Sequence, residues 1–389
     1  MYHSQSYFPV NWIDGMKMNK DIFIAQDNAN NDALFRMACL NISPVRYGVL
    51  STLNENDSNF NVHISLDNQM TIRVAVLACK AVTKGGIIID IPAASTPTDR
   101  DKQPAVSLDF SATSGNTVYW MVLQSNPFQP VPFGEPDNQE SPLRLPFVHP
   151  GYTVQVISDE QYNQFVNHPQ ALFIGKLSIN GNTIAIDEEY IPPCYSVSAH
   201  PALISLYGEV DSFLSKLESH CSRIIQKMFK RNQQNDLSEL VLFLCDRVML
   251  YLGEVITHTR WHCYYDQPAQ FLSNLVSLAR IMKNTIDLRI GTGKDELMNY
   301  LSEWCGLKPG ELEKIFTDVA LLRYDNDDIN KCLSPITRFV TVANKLFETL
   351  SNLEFIGKKK ESGFFVKEEQ QVDFNNTTNN QKGRRRFFG

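Results

Sequence analysis

His258, His262 and Cys263, in the stretch HTRWHC, place two histidines four residues apart with a cysteine beside the second. On a helix the two rings share a face, which is metal-ligand spacing. The stretch lacks the acidic partner of a metalloprotease, and no third or fourth ligand follows nearby. It reads as a surface or interface cluster at a helix end. A second stretch, RIGTGKDE from Arg289 to Glu296, has the look of a phosphate loop. A Walker loop needs a glycine five residues before its Gly-Lys pair and a Ser or Thr after it; Leu288 and Asp295 stand there instead. The stretch also follows a helical pattern rather than a strand, so Gly291 as a helix stop and Thr292 as a new cap is the better reading. The acids Glu188-Glu189 and Asp325 to Asp328 are most simply turn and cap residues. No Gly-x-Ser-x-Gly elbow is present. The sequence therefore offers no catalytic constellation, no metal set and no cofactor site, and reads as a protein that binds and builds.

Composition sets the frame for that reading. The chain has 389 residues, 43% of them hydrophobic and 20% charged, enough for two or three domains with cores of their own. A net charge of −7 argues against nucleic acid as a partner. No apolar run approaches the ~20 residues of a membrane span, and Asp14, Asp21 and Asp27 interrupt the start, so no secretory signal is expected. The eight cysteines are scattered singly without a C-x-x-C pair, as expected of reduced thiols acting as small hydrophobes in the cytoplasm.

The texture changes near Pro192-Pro193. Before it, β-branched and aromatic runs alternate: 60–66, 70–79, 86–92, 116–124, 152–158 and 172–186, the last with an Asn180-Gly181 hairpin signal. The proline-rich stretch Pro127 to Pro150 reads as an extended connection or long loop, having too many prolines for a central strand. After the boundary, Leu203, Leu206, Val210, Phe213, Leu217 and Ile224 recur at helical spacing as the seam of a long helix. His220 falls at an inward heptad position, where it could set register between copies or simply sit half-exposed within one chain. Further helices are expected over 236–256 with Asp236 as cap, 268–286, 295–305, 309–322 and 329–353, the last bending or restarting at Pro335. The domains expected are 1–191, 192–354 and a polar, basic, flexible tail from 355 to 389. In that tail Arg384, Arg385, Arg386, Phe387 and Phe388 could grip an acidic, lipid or protein surface, or fray.

The start of the chain, VNWIDGMKMNKDIF, carries Val10, Trp12, Met16 and Met18 as two short alternating runs across Asp14-Gly15, a hairpin-like signal. Asp21 could cap a helix from Ile22 with Phe23, Leu34 and Met37 on its apolar side. The stretch could cover the edge of its own sandwich or serve as a docking surface.

Three stretches together resemble one family, the type VI secretion baseplate subunit TssK (ImpJ/VasE). Its members open with Val-x-Trp-x-Glu-Gly-Met, matched here by Val10, Trp12, Asp14, Gly15 and Met16, with Met18 and Phe23 also in matching places. The stretch TKGGIIIDIP from Thr83 to Pro92 is similar to the family's strand after a glycine turn. The junction Tyr190-Ile191-Pro192-Pro193 resembles the family's Tyr-Ile-Pro-Pro leading into a long helix. The family's Pro-Gln-His is replaced by Lys20, Asp21 and Ile22.

The resemblance implies an α+β multidomain fold: an N-terminal β-sandwich shell and a C-terminal helical neck that trimerises along the Leu203-to-Ile224 seam, His220 included. It implies docking to the wedge proteins TssF and TssG, and through them indirectly to TssE, by Val10, Trp12, Asp14, Gly15, Met16, Met18 and Phe23. It also implies a place at the cytoplasmic face of the inner membrane and a contact with a membrane-complex protein through the C-terminal region. The family's C-terminal head is expected to be short or missing, so the Arg/Phe tail would supply a substitute contact. No small-molecule substrate is expected. The alternative is a phage-like receptor- or carbohydrate-binding protein of a contractile injection machine.

Overall fold

A computed structural model describes residues 5–356 apart from 53–58, 68–69, 94–102, 111–112, 138, 140, 182 and 234. The chain divides into two compact units. The first takes in the chain up to His200 together with Tyr265–Ala269 and Tyr324–Lys331; the second takes in Pro201–Tyr264, Gln270–Arg323 and the chain from Cys332.

The first unit opens with a helix, α1 (Lys20–Ala38), followed by two antiparallel sheets. One is built around β3 (Thr71–Val82), a twelve-residue strand with partners along both edges. On one edge lie β2 (Phe60–Leu66) and then β1 (Gly48–Val49); on the other lie β5 (Ala105–Asp109) and then β4 (Ile88–Ile91). The other sheet has the order β7 (Phe147–Ser158), β6 (Thr113–Phe133), β8 (Ala171–Gly181), β9 (Thr183–Ile186). Alternation dictates the layering, because successive strand side chains point to opposite faces. Ile72, Val74 and Val76 of β3 share one core with Met121 and Leu123 of β6 and with Leu172, Ile174, Leu177 and Ile179 of β8. This makes the pair of sheets a sandwich. The intervening residues Trp120 and Val122 turn the other way, into a second cluster with Ile157, Phe173 and Tyr190.

That second cluster is closed by charge as well as by rings. Lys84 bonds Asp327 at 2.7 Å and Lys176 bonds Asp328 at 2.8 Å, with both carboxylates almost completely buried. Tyr47 also donates to Asp327, and Tyr190 donates to the Asp327 carbonyl at 2.7 Å. The Lys176 ammonium lies 4.7 Å from the centre of the Trp120 ring. Burial pushes the Asp327 carboxyl above its usual range, and Lys84 and Tyr47 oppose that rise. The acids of this stretch, expected to be turn and cap residues, are the polar heart of the β unit.

The junction motif also lies in this unit. Tyr190, Ile191, Pro192 and Pro193 are buried. Val49 donates to the Pro193 carbonyl at 2.8 Å and Tyr195 donates back to Val49 at 2.9 Å. Gly48 makes that approach possible: at φ +120 it has no Cβ, and one placed there would sit 2.0 Å from the Pro193 oxygen.

The second unit is helical. After the four-residue α2 (Tyr162–Phe165) of the β unit, α3 (Pro201–Lys230) and α4 (Asp236–His258) form an antiparallel hairpin. The α4 cap is Asn235, one residue before the expected Asp236; it accepts from Ser238 N at 2.8 Å. Then come α5 (Pro268–Asp287), α6 (Lys294–Cys305), α7 (Pro309–Ala320) and α8 (Asn330–Asn352). The last runs without interruption through Pro335, so the expected restart is not found. Among the described residues no helix is long and apolar enough to cross a membrane.

Candidate docking surface

The N-terminal stretch is held outside both sheets. Met16 N donates to the Ile13 carbonyl at 3.3 Å, closing a turn with Gly15 at φ +77. The turn expected at Asp14-Gly15 is present, but the flanking runs are not strands. The physical reason is the position of the glycine. A positive φ at the second central residue alone gives a type II turn, which splays its arms rather than twisting them into a ladder. Two side chains of α1 bind the stretch instead: Val10 N donates to Gln26 Oε1 at 3.1 Å, and Ser6 N to Asp32 Oδ1 at 3.4 Å. The segment therefore runs antiparallel along the helix. Asn19, rather than Asp21, caps α1 and accepts from Ile22 N at 3.0 Å.

α1 has its apolar side outward. The buried residues of this nineteen-residue helix are Ala29 and Asp32, whereas Leu34 and Met37 are each 65% exposed and Phe23 and Ile24 are also open. Trp12 is 48% exposed, and its ring meets that of Phe23 at 6.5 Å. Met18 is exposed as well, Asp14 and Gly15 are open, and Val10 and Met16 are half-buried. With Phe8, Ile13 and Leu40 these residues make one ridge of apolar side chain. The structure brings all the motif residues from Val10 to Phe23 to this one ridge. Leu34 and Met37 were legible as the apolar side of a helix, but the Asn/Asp-rich middle of α1 gave no sign of which side faces out. Ile24 and Leu40 were missed.

The proposed seam of α3 is placed differently. Leu203, Leu206, Val210, Phe213, Leu217 and Ile224 are all buried within the single chain. His220 is half-buried, with Nδ1 2.9 Å from Ser351 Oγ of α8. Burial lowers its pKa from the ordinary histidine value, and Arg223 adds to the effect. Within the single chain these side chains are part of the core of the helical unit.

The three residues first considered for chemistry lie close together, with the His258 and His262 rings 5.5 Å apart. His262 is exposed while Cys263 is buried, 3.5 Å from His258 Nδ1, and the Cys263 sulfur accepts from Asn274 at 3.4 Å. Among the described residues no group of three or more His, Cys, Asp or Glu side chains could hold a metal. Gly293, at φ +110, is the residue before α6, so the stretch from Arg289 is a helix-to-helix turn. Arg384, Arg385, Arg386, Phe387 and Phe388 lie outside the described residues.

No family profile matches the chain, and no curated protein does. It is similar to solved structures of TssK and of the type VI secretion baseplate. A crystal structure of TssK matches 90% of this chain and 70% of its own at 15% identity, with a TM-score of 0.49. TssK from the type VI secretion system of EAEC, bound to a nanobody, matches 84% of this chain and 99% of its own at 15% identity and a TM-score of 0.43. A chain of the TssK–TssF–TssG baseplate subcomplex matches 88% and 99% at 15% identity and 0.42.

Proposed function

We propose that this chain is a divergent TssK-like structural subunit of a type VI secretion baseplate, which docks on the wedge proteins TssF and TssG through the ridge of α1 and the stretch before it. The observation that carries the reading is the ridge itself. Of the residues that resemble the family's opening motif, Trp12, Met18 and Phe23 are exposed on α1 and the stretch beside it, with Val10 and Met16 half-buried next to them. In this reading the chain works as a trimer at the cytoplasmic face of the inner membrane, linking the wedge to the membrane-side complex.

Co-purification tests the reading. Wild-type chain should carry TssF and TssG from the same genome through a size-exclusion column, and sedimentation should give a trimer. Trp12→Ala, at an exposed position, should leave folding unchanged and weaken wedge binding tenfold or more. A folded Trp12→Ala protein that binds the wedge like wild type would remove the ridge from the docking role. A stable monomer that ignores the wedge would remove the adaptor reading.

A further inference from the structure

α3 and α4 form one helical hairpin, so a residue on one helix has a defined opposite number on the other. Cys221 lies nine residues before the end of α3 at Lys230, and Cys245 lies nine residues after the start of α4 at Asp236. Both are therefore at the same height above the turn, about 13 Å along the axis. The layers on either side share that symmetry. Met228 and Ser238 lie two residues from their ends of the turn, and Leu214 and Leu252 lie sixteen. All six side chains are buried, at seven-residue spacing on each helix, as a packed antiparallel pair requires. Toward the far end Tyr207 donates to the Arg260 carbonyl at 3.4 Å, which keeps the same register.

The middle layer pairs two free thiols, both fully out of water. They touch, the Cys221 thiol donating to the Cys245 sulfur. That bond, with burial, holds the Cys221 thiol far above its ordinary range, so at rest the pair stays protonated and reduced. A disulfide needs Cα atoms about 4.4–6.8 Å apart. Helices packed at about 8–10 Å, with Cα atoms about 2.3 Å off each axis, put directly facing Cα atoms roughly 3.5–5.5 Å apart and slightly rotated ones further. The hairpin thus meets the spacing without moving its backbone. All eight cysteines of the chain are buried, so exposure singles out none of them. What distinguishes Cys221 is a second thiol against its own.

We infer that Cys221 and Cys245 are a modification site, a latent disulfide that hydrogen peroxide closes to staple α3 to α4. In the first step one sulfur, as its thiolate, attacks the near oxygen of the peroxide. The O–O bond breaks, an S–O bond forms, and the departing hydroxide takes up the proton the thiol gave up. In the second step the other sulfur attacks the sulfenic sulfur, the S–O bond breaks, and the oxygen leaves as a second water. The two sulfurs together lose two electrons, and the peroxide is reduced to two waters. Thiolate is scarce in the buried pair, so the reaction is slow near neutral pH and quickens with alkali. The bond turns the α3–α4 hairpin into a covalent loop, which restricts the unfolded chain and stabilises the helical unit. The inference is independent of what the chain docks on.

The test uses the full chain, reduced and desalted, then treated with hydrogen peroxide near neutral pH and again about two pH units higher. After catalase and alkylation in denaturant, a tryptic digest reads the product. Peptides 217–223 and 232–247, each with one cysteine, should appear joined and lighter by two hydrogen atoms. The joined species should dominate over every other cysteine pair and vanish in Cys221→Ala and in Cys245→Ala, whose folding circular dichroism checks. Oxidised wild type should melt roughly 5 °C above the reduced protein, and dithiothreitol should reverse the rise. Neither alanine variant should show that shift. Eight alkylatable thiols after both treatments would overturn the inference. So would a sulfinic acid at Cys221 without the joined peptide, or disulfides spread among other cysteines. A joined peptide with no rise in melting temperature would overturn the staple. The wild-type digest decides the matter by itself should an alanine variant fail to fold.

Discussion

The two units differ in the charged groups they bury. The β unit buries Asp327 and Asp328 against lysines while leaving Trp12, Leu34, Met37 and Phe147 to water. The helical unit buries a continuous apolar seam on α3, and its half-buried His220 is disfavoured as a cation. The lesson is that burial in this chain does not sort by hydrophobicity alone. Inside the β unit, specific pairing replaces apolar packing at one layer; outside it, apolar surface is kept free.

The sharpest way to break this comparison is Lys84→Met, which leaves the Asp327 carboxylate buried without its cation. Removing one partner of a buried pair costs about 3–5 kcal/mol. Equilibrium denaturation should show that loss, and Lys84→Met/Asp327→Asn should recover most of it. A single variant that costs under ~1 kcal/mol would mean that water already reaches the pair. Next in size is Leu217→Ala in α3, with an expected loss of about 2–5 kcal/mol from the buried methyls and the cavity they leave. Its oligomeric state by sedimentation should match wild type, since the residue is interior to one chain. A change in copy number without a loss of stability would restore the seam to an interface.

Acid should separate the units by sign. His220 has a lowered pKa, so the unfolded chain takes up the proton first, and the helical unit loses stability as pH falls through and below about 6.5. Asp327 and Asp187 have raised pKa values, burial being the main cause in both. The folded state therefore binds their protons first, and the β unit gains stability as pH falls toward the ordinary carboxylate value near 4. Hydrogen exchange between pH 7 and 4.5, corrected for intrinsic rates, should show opposite trends in α3 and in β8. Parallel trends would dissolve the contrast. The smallest effect is expected at Leu34→Ser, within about 0.5 kcal/mol of wild type, because that side chain is already in water.

Much of the architecture was legible because periodicity carries it. The run 60–66 is β2 in full, and the 3-4 spacing from Leu203 became α3. What the spacing could not say is which other surface an apolar stripe meets. The α3 stripe met its own chain, and the apolar side of α1 met water; the same kind of pattern had two outcomes. The hairpin after β8 was expected at Asn180-Gly181, yet Asn180 pairs with Thr183, one residue later, with Gly181 at φ +60. Strands Gly48–Val49 and Ala105–Asp109 went unread because they are short and take their order from β3 rather than from their own propensity. The stretch from Pro127 to Pro150, expected as a connection or long loop, keeps β6 and β7 paired with Val131 opposite His149 and Phe133 opposite Phe147; its prolines rule out a central strand but not a ribbon with free edges. The Asp325-to-Asp328 acids could not be placed from sequence, since their lysines lie some 150 to 240 residues earlier.

That separation has a consequence for how the protein is made. The β unit takes Tyr324–Lys331 as an integral part, and without it Lys84 and Lys176 lose the carboxylates of Asp327 and Asp328. On the ribosome, the sheets emerge complete by Ile186, but the segment whose carboxylates pair with Lys84 and Lys176 is translated much later. At ~5–20 residues per second the wait is on the order of ten seconds or more. Through that interval the nascent sandwich is unfinished, so its final closure is a late, long-range event. A stalled or truncated product ending near residue 320 would hold all its strands and still be a substrate for the cell's proteases.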